Sequence, residues 1–213
     1  MTPLVVALAV AGAVFGVVSD RLAVRWPEHD DETPAGRRIG WRTAVCAVFG
    51  AFAFGMLGDR FAGDPLAFVL FGAWFATLTV GLATDLDQRL IPDVLTLPVI
   101  PIALLYALSG RNPLVGGDWL PAVIAAVVIP VGLFAASIPF GAGAFGMGDV
   151  KLLAGVGLMA GGIRAFTGLV AGLFAAGIVI VALLIARRIT LKTYVPYGPF
   201  LIFGAVWGIF VRG

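Results

Sequence analysis

The chain has 213 residues, of which 61% are apolar and only 12% charged. A typical soluble domain carries about 25% charged residues and needs a polar surface that this composition does not supply, which leaves a polytopic membrane protein. The net charge of +2 is too small and too scattered to argue for a nucleic-acid partner, and none is expected; the lone cysteine, Cys46, excludes a disulfide scaffold or a thiolate zinc cage.

The first apolar run, about residues 3–19, is followed by charge but not preceded by it, since no Lys or Arg comes before Arg21. A cleaved signal peptide needs a basic region before its apolar stretch. The run is therefore expected to be a first membrane helix with its N-terminus outside the cytoplasm. Residues from about 20 to 42 form the longest hydrophilic stretch. It holds His29, the chain's sole histidine, between Glu28 and Asp30-Asp31-Glu32. That setting reads as a solvated acidic loop rather than a metal site.

Further runs predict helices over about 41–58, 65–84, 94–109, 119–138, 150–163, 165–186 and 197–211, making an all-α bundle of eight membrane helices. The fourth, sixth and eighth fall short of the ~20 residues of a full span and are expected to be tilted or partly embedded. Pro98, Pro101 and Pro130 fall inside predicted spans, which membrane helices tolerate. With the N-terminus outside, the inner loops hold ten of the 14 basic residues: Arg21, Arg25, Arg37, Arg38, Arg42, Arg89, Lys151, Arg187, Arg188 and Lys192. The other four, Arg60, Arg111, Arg164 and Arg212, fall outside, so both termini are predicted outside. The chain is expected to form one integral-membrane domain. Gly-x-x-x-Gly pairs at Gly12/Gly16, Gly157/Gly161, Gly168/Gly172 and Gly204/Gly208 fit close helix packing.

Of the twelve acids, Asp20, Glu28, Asp30, Asp31 and Glu32 belong to the first inner loop, and Asp59, Asp64 and Asp118 to outer loops. All eight are expected to be solvated. The remaining four cluster in two places. One is Thr84-Asp85-Leu86-Asp87-Gln88-Arg89-Leu90-Ile91-Pro92-Asp93, and the other is Gly146-Met147-Gly148-Asp149-Val150-Lys151. Two predicted crossings lie between them, so both are expected on the cytoplasmic face.

Asp93 looks like a helix N-cap, and Asp87 is expected to be solvated or paired with Arg89. Asp85 directly ends an apolar run and Asp149 directly starts one. Acids at the edge of hydrocarbon are costly and mark functional candidates. Gly146 and Gly148 would let the backbone take positive φ beside Asp149. The helix macrodipole would favour charge on Asp149, at a helix start, and disfavour it on Asp85, at a helix end. Gly141-Ala142-Gly143-Ala144-Phe145-Gly146 matches a dinucleotide fingerprint literally, but it follows no strand and carries no such meaning.

Gly146-Met147-Gly148-Asp149 followed by Val150-Lys151-Leu152 resembles the GxGD signature of the type IV prepilin peptidase family, which includes the archaeal preflagellin peptidases. Asp85, with Ile91-Pro92-Asp93 after it, resembles that family's first aspartate motif. Val195-Pro196-Tyr197-Gly198-Pro199-Phe200-Leu201 is similar to its segment before the last helix. The resemblance implies catalytic roles for Asp85 and Asp149. It also implies a turn shaped by Gly146 and Gly148, and substrate nearby at Gly198 and Pro199. Asp93 and Lys151 match motif positions without an implied catalytic role.

What is implied is an aspartic endopeptidase without metal or other cofactor, acting on prepilin-like precursors whose apolar helix lies in the lipid bilayer of the cell membrane. Many bacterial members carry paired zinc-binding cysteines and also N-methylate the product. This chain has no cysteine pair, which puts methylation in doubt. A proton-coupled transporter and a presenilin-like GxGD protease are the alternatives. The acids lie at one face rather than at the midplane, which weighs against the first. The Thr84-Asp85 context, leading into a polar loop, weighs against the second.

Overall fold

The computed structural model describes residues 2–29, 36–140, 145–190 and 197–210. Asp30, Asp31, Glu32, the stretch 141–144 of the literal fingerprint, Lys192, Val195, Pro196 and Arg212 lie outside the described residues. All eight predicted helices appear, the fourth in two pieces. They are α1 (Pro3–Ala23), α2 (Trp41–Arg60), α3 (Pro65–Gln88), α4 (Asp93–Thr96) with α5 (Val99–Leu108), α6 (Leu120–Ser137), α7 (Met147–Ala160), α8 (Gly162–Ile185) and α9 (Gly198–Phe210). Five of them, α1, α2, α3, α6 and α8, are long and apolar enough to cross a membrane. The chain falls into two compact units, residues 1–95 and 96–213.

In the first unit α1 and α2 pack through small residues. A Cβ on Gly12 would overlap the Gly50 carbonyl, and one on Gly16 would overlap that of Cys46. Close backbone approach of this kind replaces the hydrophobic drive that lipid removes. The opposite face of α1 carries Val6, Val10, Val14 and Val18, all about half exposed and four residues apart, as a lipid-facing stripe requires.

Helix α3 is the most buried of the five spans. Its start is locally encoded: Asp64 accepts from the backbone N–H groups of Leu66 and Ala67 at 3.0 Å, and Pro65 occupies the first turn, where a missing N–H costs nothing. Asp64 thus serves as a helix cap while staying partly exposed. Phe71, Trp74, Phe75 and Leu78 fill the core, with Phe61 stacked on Phe71 at 4.2 Å between ring centres.

In the second unit α7 packs on α5, α6, α8 and α9. The fourth predicted helix breaks at Leu97–Pro98. Pro101 falls in the first turn of α5, where its missing N–H is harmless. Pro130 lies inside α6. The α7–α8 boundary falls at Gly161, whose φ of 82° reverses the chain, rather than near residue 164 as the apolar runs suggest. Gly161 therefore terminates a helix and is not half of a packing pair, whereas Gly157 does pack, against the backbone of Ala126. On α8 and α9, Gly168 and Gly172 interlock with Gly204, Gly208 and Phe200 so closely that a Cβ on Gly168 would overlap the Gly204 carbonyl. Fully buried Asn112 donates to the Met159 carbonyl at 3.0 Å and accepts from the Leu114 N–H at 2.9 Å, closing the turn over the end of α7.

Candidate active site

Helix α3 runs past the end of its apolar stretch, so Asp85 sits in its last turn, 6% exposed. Its backbone carbonyl accepts from the Arg89 N–H at 2.9 Å. Arg89 adopts the left-handed conformation (φ 57°) that ends the helix. The neighbouring Thr84 hydroxyl is fully buried and turned back onto the Gly81 carbonyl at 3.1 Å. Asp93 is the first residue of α4 and is exposed, one position inside the helix it was expected to cap.

Asp87 is not solvated. Its carboxylate, 7% exposed, accepts from Arg37 Nε at 2.7 Å and Arg42 at 3.3 Å, and lies 3.1 Å from His29 Nε2. Asp20, also expected to be solvated, is fully buried at the end of α1. It accepts from Arg37 at 2.5 Å, from the Thr43 hydroxyl at 2.6 Å and from Arg21. The stretch that reads as a free loop from 20 to 42 is shorter than that, since Asp20 belongs to α1 and Arg42 to α2. Gln88 adds a bond from its amide to the Pro27 carbonyl at 3.1 Å. Nothing in composition announces this network. The available signal was an acid at a helix C-terminus, the disfavoured end of the macrodipole, which needs a cation to hold it there.

In the second unit Gly146 caps α7, and Gly148, Asp149 and Lys151 occupy its first turns. Asp149 stands three residues into α7, where its carboxylate accepts from the Gly146 backbone N–H. That is one half of a capping box, made without a capping hydroxyl. α7 is not one of the five spans.

Gly146 has φ −75°, and Gly148 is helical, so neither uses the positive φ expected of it. A Cβ on Gly146 would lie 3.4 Å from Asp149 Oδ2, an ordinary contact distance. Gly198, buried, and Pro199 begin α9, which packs on α7. No group of three or more potential metal ligands occurs among the described residues.

Residues 70–186, more than half of the chain, match the Type IV leader peptidase family. The match covers Asp85, Asp93, Gly146, Gly148, Asp149 and Lys151, and leaves Gly198 and Pro199 outside. A "Type 4 prepilin-like proteins leader peptide-processing enzyme" of Escherichia coli is 30% identical over 152 residues, which is 71% of this chain and 54% of the relative. The chain thus spans about half the length of the curated relative it matches. No solved structure matches. The extent of the family match, over a polytopic helical chain with both aspartate clusters inside it, places this protein in the Type IV leader peptidase family.

Proposed function

We propose that the protein is a membrane aspartic endopeptidase that removes the leader peptide of prepilin-like precursors at the cytoplasmic face of the cell membrane, with Asp85 and Asp149 as its catalytic residues. The observation that carries this reading is the family match over both aspartate clusters. The charge asymmetry along the sequence supports eight spans with both termini outside and both clusters on the cytoplasmic side.

Two carboxyls hydrolyse a peptide by sharing one proton. The ionised one takes a proton from water, and the resulting hydroxide attacks the scissile carbonyl carbon. The protonated one donates to the carbonyl oxygen. Collapse of the tetrahedral intermediate breaks the C–N bond, and the proton passes to the leaving amine. Asp149, at a helix start, suits the base. Asp85, buried at a helix end, suits the acid. The leader's cleavage point would meet the carboxyls at the membrane edge while the apolar helix behind it stays in the bilayer. No metal or other cofactor takes part in this chemistry. Methylation of the product is not part of the reading, since the segment between α1 and α2 has no cysteine pair.

Co-expression with prepilin-like precursors tests the assignment. The wild-type chain should remove the leader, and Asp85→Ala and Asp149→Ala should each leave the precursor uncut while still accumulating in the membrane. Normal processing by both variants would overturn it.

A further inference from the structure

The guanidinium of Arg37 is the group, among the described residues, that pairs with both Asp20 and Asp87. Asp20 stands in the last turn of α1 and Asp87 in the last turn of α3. One planar fork therefore ties two helix C-termini together through the segment between α1 and α2. Arg37 is itself held: Arg21 donates to its carbonyl at 3.0 Å, and Gly36 turns into it with φ 95°, a conformation that side-chain-bearing residues rarely adopt.

Both acids sit at the end of a helix where the macrodipole opposes negative charge, and both are nearly buried. Buried ion pairs add little net stability compared with apolar packing, so their use here points to geometry rather than to stability. Asp87 is two residues from Asp85. A helix turn held at Asp87 cannot rotate or fray, and its rotation sets the direction of the Asp85 carboxyl.

We propose that Arg37 is a positioning residue for Asp85, clamping the last turn of α3 to the end of α1 through Asp87 and Asp20. This rests on the catalytic reading of Asp85 given above. Loss of the clamp leaves Asp20 with Arg21 and Thr43, and Asp87 with Arg42 and His29, so the unit keeps its fold. What changes is the freedom of the turn. Small misplacements of a reacting group cost up to about 100-fold in rate.

The experiment uses the full chain in lipid nanodiscs with a prepilin-like precursor, following kcat, KM and amide hydrogen exchange. Arg37→Ala should lower kcat about 10- to 100-fold with KM within about twofold. Exchange over residues 84–89 should rise about tenfold while residues 44–58 of α2 stay protected. Arg37→Lys, which offers a single ammonium where the fork reaches two acids, should fall between Arg37→Ala and wild type in both readouts.

Wild-type kcat or wild-type exchange at 84–89 in Arg37→Ala overturns the proposal. So does a rise in exchange spread over all of α1–α3, which marks a general packing role. If Arg37→Ala does not accumulate, Asp87→Asn is judged by the same measures. Asp85→Asn separates the two claims. If it is inactive while Arg37→Ala is unimpaired, the clamp fails and the catalytic reading stands. If it is active, the catalytic reading fails, and exchange at 84–89 alone decides whether the clamp exists.

Discussion

Asp149 stands in the first turn of α7, where its carboxylate accepts from the Gly146 backbone N–H and the positive end of the macrodipole favours the charged form. Asp149→Asn keeps the size of the side chain and removes the charge that the proposed base needs, so kcat should fall about 100-fold or more while the protein accumulates normally. Cleavage of a fixed precursor checks this, and wild-type kcat in Asp149→Asn would remove Asp149 from the role of base. Neither Gly146 (φ −75°) nor Gly148 beside it takes left-handed backbone.

Among the elements, α8 and α9 show how glycine positions decide helix contact. Gly204 lies against the Gly168 backbone with no space for a Cβ, whereas a Cβ at Gly177, also on α8, meets nothing within 4 Å. Gly204→Leu must push the two helices apart and should destabilise the unit by about 1–3 kcal/mol or more. Gly177→Leu should be neutral or slightly stabilising, because Leu is the better helix former. Thermal unfolding in detergent, comparing the two variants, reads the difference directly. Equal loss in both would mean that the close approach of α8 and α9 carries no weight. The sequence pairs Gly168/Gly172 and Gly204/Gly208 marked this contact in advance, but Gly157/Gly161 had the same spacing and splits between a packing role and a helix stop. Spacing alone does not distinguish them, because a helix end is set by the φ of one residue.

For the whole molecule, the distribution of 14 basic residues carries the proposed orientation, ten inside and four outside. Cys46 is fully buried, so single added cysteines report accessibility on an otherwise silent background. Ala62→Cys and Gly117→Cys should react with an impermeant maleimide in intact cells. Arg38→Cys and Arg188→Cys should react only after the membrane is permeabilised. The reverse pattern would invert the orientation and move the proposed cleavage to the other face.

Membrane class, helix number and most helix positions were legible in the sequence, because lipid imposes a simple rule: each crossing needs a long apolar run that satisfies its own backbone. The two aspartate clusters stand out in the sequence as acids bordering hydrocarbon among so few charges, and the family match spans both. The start of α3 was within reach too, as Asp64-Pro65 ahead of an apolar run is a capping signal, although Asp64 reads as solvated when only its charge is considered. Tertiary structure alone decided the fate of the charges in the first hydrophilic stretch. Asp20, Arg37, Thr43 and Asp87 are separated by up to 67 positions (87 − 20), and they meet because α1, α2 and α3 pack side by side. Hydropathy treats every charge as a surface group. Whether an acid is solvated or locked against an arginine depends on which chain segments fold against it, and that information lies in long-range packing rather than in any local pattern.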